Sequence, residues 1–95
     1  MDCSDIIFSR HALNQMINRN ISPAEIKEAI IYGEILRSYP EDKPYMSWLI
    51  LKFVMNRPLH VVVSKDEIKR CIVITAYEPD PETWNDDFKS KKHSL

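Results

Sequence analysis

Glycine is nearly missing from this chain: Gly33 is the single example in 95 residues. Without a glycine-rich loop there is no backbone cradle for nucleotide phosphates, which excludes the P-loop and dinucleotide-binding classes. Cysteine is almost as scarce. Cys3 and Cys71 stand alone, with no CxxC pair, too few for a thiolate metal cluster. A bridge between them is open in principle, but cytosolic thiols are normally reduced, so they read as two buried or semi-buried free thiols. The three histidines, His11, His60 and His93, are spread over more than eighty positions, and HALNQ lacks the HExxH pattern. No metal site and no cofactor are expected.

Long apolar runs are also lacking. Lys52 and polar turns interrupt the longest ones, so no membrane span is expected. The start, MDCSDIIFSR, has neither the basic beginning nor the long apolar core of a secretion signal, and a cytoplasmic location is the expectation. Neither sign of charge dominates. Thirteen Lys and Arg against 14 Asp and Glu give a net charge of −1, with a pI near 6.3. That balance argues against a nucleic-acid binder relying on bulk electrostatics and leaves room for a local basic patch.

What is there is ordinary globular material, 44% hydrophobic and 28% charged. It fits a single domain over 1–95 with an ordered core at about 6–88 and a frayed basic tail, KSKKHSL, from Lys89 to Leu95. A chain of this size buries roughly 60–65% of its unfolded surface, enough for one modest core. Its centre runs from Ser47 to Tyr77. SWLILKFVM, LHVVVSK and RCIVITAY are rich in β-branched and aromatic residues, and MNRP and DEIK interrupt them, as in an antiparallel meander.

The register follows from the turns. A two-residue loop at Asn56-Arg57, or equally at Met55-Asn56, sets the first pair. A four-residue turn at Asp66 to Lys69 sets the second by placing Lys65 opposite Arg70. One face then carries Trp48, Ile50, Lys52, Val54, Leu59, Val61, Val63, Ile72, Ile74 and Ala76. The other carries Leu49, Leu51, Phe53, His60, Val62, Ser64, Cys71, Val73, Thr75 and Tyr77, with His60 directly across from Thr75. The first set is nearly all apolar and is the face for helices to cover. The second holds the polar functional groups. Lys52, lying among the apolar set, is expected to snorkel past a helix end.

Two helices precede the meander. Ser9 is a good N-cap, with Phe8 placed to staple onto Leu13, and Ala12, Leu13, Met16 and Ile17 form an apolar stripe. His11, Gln15 and Asn18 fall on the opposite side, flanked by Arg10 and Arg19. The second helix opens on Ser22 and Pro23 with Glu25 completing a capping box, and it buries Ile26, Ala29 and Ile30. Gly33 sits where a left-handed C-terminal cap belongs. Glu34 to Tyr39 reads as a short edge strand, followed by a loop that Pro40 and Pro44 keep irregular. After the meander, Glu78-Pro79-Asp80-Pro81 stops the last strand. Thr83 to Phe88 suits one helical turn whose Trp84 and Phe88 cover part of the sheet. The order predicts an α+β domain: two N-terminal helices packed on one face of a four-stranded antiparallel sheet.

The strings FSRHALNQMINRNIS, Gly33-Glu34-Ile35, YPEDKPY, RPLHVVV and TAYEPDPETW together resemble a small prokaryotic family, number 4258 in the domain-of-unknown-function series. The resemblance runs from Phe8 to about Lys89. That family is similar by suggested fold relationship to the RelE, barnase and colicin-type ribonuclease toxins. The resemblance therefore implies a four-stranded sheet with N-terminal helices and RNA cleavage, in a toxin of a toxin–antitoxin pair. The motif positions that carry polar chemistry are Arg10, His11, Arg19, His60, Thr75 and Tyr77. One departure is the first hairpin, where such members often have Asn-Gly and this chain has Met55-Asn56.

Metal-independent RNA cleavage needs a base for the 2′-hydroxyl, an acid for the leaving 5′-oxygen and a cation for the phosphate. Histidine serves near neutral pH, which makes His60 and His11 the acid–base candidates. The plainer alternatives are a His60 satisfied by the Thr75 hydroxyl on a half-covered face, and a His11 that is simply a surface residue. Arg10 and Arg19 have the fork geometry for phosphate, against the simpler role of solvated helix charges. Thr75 and Tyr77 stand as supporting RNA contacts, Tyr77 by stacking or by its hydroxyl. RNA, an antitoxin and a second copy are the partners this reading implies. The competing reading is a non-catalytic interaction module, in which Leu49, Leu51, Phe53, Val62 and Val73 form an apolar patch for a second copy or a partner segment. A face open to solvent favours the enzyme; a face closed by Trp84, Phe88 or a second subunit favours the module.

Overall fold

A computed structural model describes residues 1–93. Along the chain it holds β1 (Ile6–Phe8), α1 (Arg10–Arg19), α2 (Pro23–Tyr32), β2 (Glu34–Tyr39), β3 (Ser47–Val54), β4 (Arg57–Lys65) and β5 (Cys71–Tyr77). The α+β class holds. The sheet, however, has five strands in the order β1-β5-β4-β3-β2, and β1 runs parallel to β5, so it is mixed rather than four-stranded and antiparallel. Three residues are too few to show a periodicity, and their partner lies more than sixty positions away. No local signal marks such a strand.

The caps formed as their residue types dictate. The Ser9 hydroxyl accepts from Ala12 N–H at 3.0 Å. Ser22 and Glu25 close a reciprocal box, at 3.1 Å into the Ser22 hydroxyl and 2.9 Å into the Glu25 carboxylate. Asn20 takes the left-handed conformation that ends α1. Gly33 does not do so for α2: its φ of −77° and ψ of 169° are extended backbone. It is glycine for lack of space. A Cβ there would strike the Ala29 carbonyl and come within 2.5 Å of Ile50 Cγ2 and 2.9 Å of the Leu51 carbonyl.

Helix α1 packs mainly on β5, and α2 on β3 and β4. Between the layers lie Ala12, Met16, Ile26, Ala29, Ile30, Ile50, Leu59, Val61, Val63, Cys71, Val73 and Ala76. The predicted stripe of α1 is only half buried, since Leu13 is 43% and Ile17 79% exposed. Strands β3 and β4 pair through the Met55-Asn56 turn, both residues at positive φ as a type I′ turn requires, with Lys52 opposite Leu59 and Leu51 opposite His60.

The β5 register departs from expectation. The β4–β5 loop holds five residues, Asp66 to Arg70, because the Asp66 carboxylate caps the Ile68 and Arg70 amides at 3.1 and 2.9 Å and Lys69 turns left-handed. Lys65 therefore faces Cys71, and a bulge between Val62 and Val63 restores the parity. Cys71 and Val73 consequently point into the helix-side core, while Ile72 and Ile74 move to the far face. His60 stands opposite Tyr77, not Thr75, which pairs with Val62.

Cys3 and Cys71 form a disulfide, Cα atoms 5.4 Å apart, where free thiols were expected. The parallel pairing of β1 with β5 delivers the N-terminal segment to that position. The Thr83–Phe88 stretch is a series of turns rather than a helical turn. At the expected frayed end, Lys89 pairs with Glu34 at 3.1 Å and Lys91 bridges to Trp84; 94–95 lie outside the described residues. No helix of the described residues is long and apolar enough to cross a membrane.

Candidate functional site

His60 sits mid-way along β4 on the face turned away from the helices, yet it is wholly enclosed, at 0% exposure. The enclosure comes from residues 79–93, which leave β5 at the buried Pro79 and double back across the sheet. The Trp84 ring meets the imidazole edge-on at 4.5 Å, and Phe88 packs on Phe53 with centroids 6.0 Å apart. The Phe88 carbonyl accepts a hydrogen bond from His60 Nε2 at 2.8 Å. A carbonyl can only accept, so Nε2 carries the hydrogen and Nδ1 is the acceptor for the Tyr77 hydroxyl at 3.2 Å.

These partners suit a neutral imidazole. Burial pushes the His60 pKa below the ordinary histidine value, and the Phe88 carbonyl only partly offsets it. Burial also raises the Tyr77 phenol, with Tyr39 adding to the rise and Arg19 opposing it. Tyr77 therefore keeps its proton at neutral pH and holds it toward His60.

Beside the pair opens a cleft of about 510 Å³, lined by Arg19, Arg57, Tyr77 and Glu78 from the domain and by Asp80, Thr83 and Trp84 from the segment that follows β5. Its two guanidinium groups differ in availability. Arg57 is engaged throughout: Nε to Glu78 at 2.8 Å, Nη1 to the Asn20 carbonyl at 2.9 Å and to Glu25 at 3.4 Å, Nη2 to the Arg19 carbonyl at 2.8 Å. Arg19 donates Nη1 to the Ala76 carbonyl at 2.9 Å, and among the described residues no carboxylate pairs with it. It is the cation of the cleft left to meet an anion.

The six residues singled out from the sequence are thus divided. Arg19 and Tyr77 share the cleft, and His60 stands behind it, hydrogen-bonded to Tyr77 and packed on Trp84. Thr75 is half-buried on the same face of β5, one pair along from Tyr77. Arg10 and His11 are exposed in the first turn of α1 and line no part of the cleft. From His11 to Arg19 the helix rises about 12 Å, so the two do not converge on one small ligand. Arg57 and the Phe88 carbonyl were missed. A backbone acceptor leaves no trace in a sequence, whereas Arg57 opens the RPLHVVV string at a position the sequence reads as a turn and the structure makes the first residue of β4. Among the described residues, no group of His, Cys, Asp and Glu is arranged to hold a metal ion.

No curated protein and no solved structure matches the chain. A family model does match, over residues 8–78, well over half of the sequence and every element from the end of β1 to the end of β5. The chain belongs to the family described as Domain of unknown function (DUF4258).

Proposed function

We propose that the chain is a RelE/barnase-like, metal-independent ribonuclease-type domain, the toxin of a toxin–antitoxin pair acting in the cytoplasm. The observation carrying this reading is the His60–Tyr77 pair, a neutral imidazole accepting from a phenol that lines the cleft beside Arg19. Such a pair is a base by relay. The Tyr77 oxygen takes the proton of a ribose 2′-hydroxyl as its own hydrogen passes to His60 Nδ1, and the 2′-oxygen attacks the adjacent phosphorus. Arg19 offsets the charge that builds on the phosphate; the leaving 5′-oxygen takes a proton from water, and the proton held on His60 returns through Tyr77 to the hydroxide left behind. Thr75, and Arg10 with His11 further along α1, are contacts for the flanking strand. In a reducing cytoplasm Cys3 and Cys71 would be held as thiols.

A second reading, the non-catalytic interaction module, is favoured by the cover itself: Trp84 and Phe88 already fill the apolar part of this face, as a docked partner segment would. Purified protein incubated with a mixed-sequence RNA separates the two. The ribonuclease reading expects slow cleavage to 2′,3′-cyclic ends, lost at least a hundredfold in Tyr77→Phe and Arg19→Ala and reduced less in His11→Ala. Absence of any cleavage, together with normal growth on induction, leaves the module.

A further inference from the structure

We propose that residues 79–93 are an autoinhibitory strap, a self-structured segment that closes the His60 face and swings away to admit an RNA strand; the ligand named here rests on the ribonuclease reading, the strap itself does not. The family match ends at residue 78, so the cover lies just beyond the matched stretch that holds His60 and Tyr77. Its hydrogen bonds are mostly internal. Thr83 and Trp84 N–H donate to the Asp80 carbonyl at 3.0 and 2.9 Å, Phe88 N–H to Asn85, Asn85 N–H to Ser90, and Lys92 N–H to Thr83. A piece that satisfies its own backbone can move as one body.

Beyond the buried Pro79 at its root, its attachments are few and of a releasable kind: the Trp84 ring on His60, the Phe88 ring on Phe53, the exposed Lys89–Glu34 pair and one hydrogen bond to the Phe88 carbonyl. None belongs to the core between helices and sheet, which contains neither Trp84 nor Phe88. Lifting the strap therefore leaves that core whole. Phe88 is left-handed at φ 58°, and in this conformation its carbonyl meets His60 Nε2. Closed, the strap places the Trp84 indole and the Asp80 carboxylate along one wall of the cleft, against both the bases and the charge of a polynucleotide. Open, the face presents His60, Tyr77 and Thr75 together.

The test uses the full chain and the doubly loosened variant Trp84→Ala/Lys89→Glu. The two readouts are carbethoxylation of each histidine by diethyl pyrocarbonate, located by mass spectrometry, and cleavage of the mixed-sequence RNA. In the unsubstituted chain His60 should react at least tenfold more slowly than His11. In the loosened variant His60 should gain at least tenfold while His11 is unchanged, and cleavage should rise in parallel. An unchanged His60 rate in a folded variant overturns the strap. A freed His60 without cleavage upholds the strap and removes the ribonuclease reading. Hydrogen exchange on the unsubstituted chain covers a variant that fails to fold: the Asn85, Phe88 and Lys92 amides should exchange at least tenfold faster than those of β4. Exchange of both sets at one rate overturns the proposal.

Discussion

Burial holds the His60 imidazole below the ordinary histidine value, while the Phe88 carbonyl pulls it partly back. The consequence for stability has a definite sign. A folded-state pKa beneath the unfolded value near 6.5 means that the unfolded chain binds the proton more readily as the pH falls through that value. The contribution of a neutral His60 is therefore complete above about pH 6.5 and is lost on acidification below it. Tyr77, Trp84 and the Phe88 carbonyl, the groups that touch the ring, do not change charge in that window. Glu25 and Asp66, both held below their usual values, lose theirs only at lower pH. The thermal midpoint should thus fall between pH 7.5 and 5.5, and the fall should be clearly smaller in His60→Gln. Equal falls in both proteins would assign the effect elsewhere. Gly33 offers a second test at this scale. Because its φ is negative, a residue that tolerates left-handed backbone brings no relief: Gly33→Asn should lose as much stability as Gly33→Ala. Each should cost about 1–3 kcal/mol by chemical denaturation, since the added atoms meet the Ala29 and Leu51 carbonyls.

Between elements, the connection that local pattern could not reveal is Arg57. It lies at the start of β4 and gathers the end of α1 through two carbonyls, the capping box of α2 through Glu25, and the end of β5 through Glu78. Arg57→Ala should cost about 2 kcal/mol, the worth of charge-assisted bonds in a partly exposed site. Arg57→Lys should recover less than half of it, because one ammonium cannot meet acceptors along three directions. A full recovery would mean that only the charge matters. The same contrast explains what was legible in the sequence. The Ser9 N-cap, the Ser22–Glu25 capping box, the Met55-Asn56 hairpin and the alternation along β3 and β4 are set within a few residues, and each formed where its residues indicated. The β5 faces were misassigned because one Asp66 side chain adds a residue to a loop and a bulge later removes the shift. Neither event leaves a compositional mark. The site shared this fate. Arg19, His60 and Tyr77 were recognisable by type and by motif, but their grouping depends on that bulge, on a backbone carbonyl and on a covering segment with no periodicity.

Across the whole molecule, segments on both sides of the helix-and-sheet core are fastened back onto the sheet. After β5 the strap folds over His60 of β4 and Phe53 of β3; before α1, β1 adds a parallel strand to β5 and Cys3 bonds Cys71. That bond spans 68 positions and encloses both helices and the four strands β1 to β4 in one loop. In the chain-entropy account, a loop of this length restricts the unfolded state by about 4 kcal/mol. Since isolated helices and a three-residue strand contribute little by themselves, a large share of a small domain's stability would then depend on the oxidation state of two thiols. Oxidised protein should therefore unfold at a markedly higher denaturant concentration than the same protein in dithiothreitol, and Cys71→Ser should abolish the difference. The folded structure itself should survive reduction, because Cys71 stays buried in a core that does not need the bond, in one cluster with Val63 and Val73. Hydrogen exchange would then show the loss confined to β1 and to the Cys71 amide of β5, which donates to the Asp5 carbonyl, while β3 and β4 remain protected. Reduced protein that unfolds outright under native conditions would mean that the cross-link, and not the two-layer core, holds the fold.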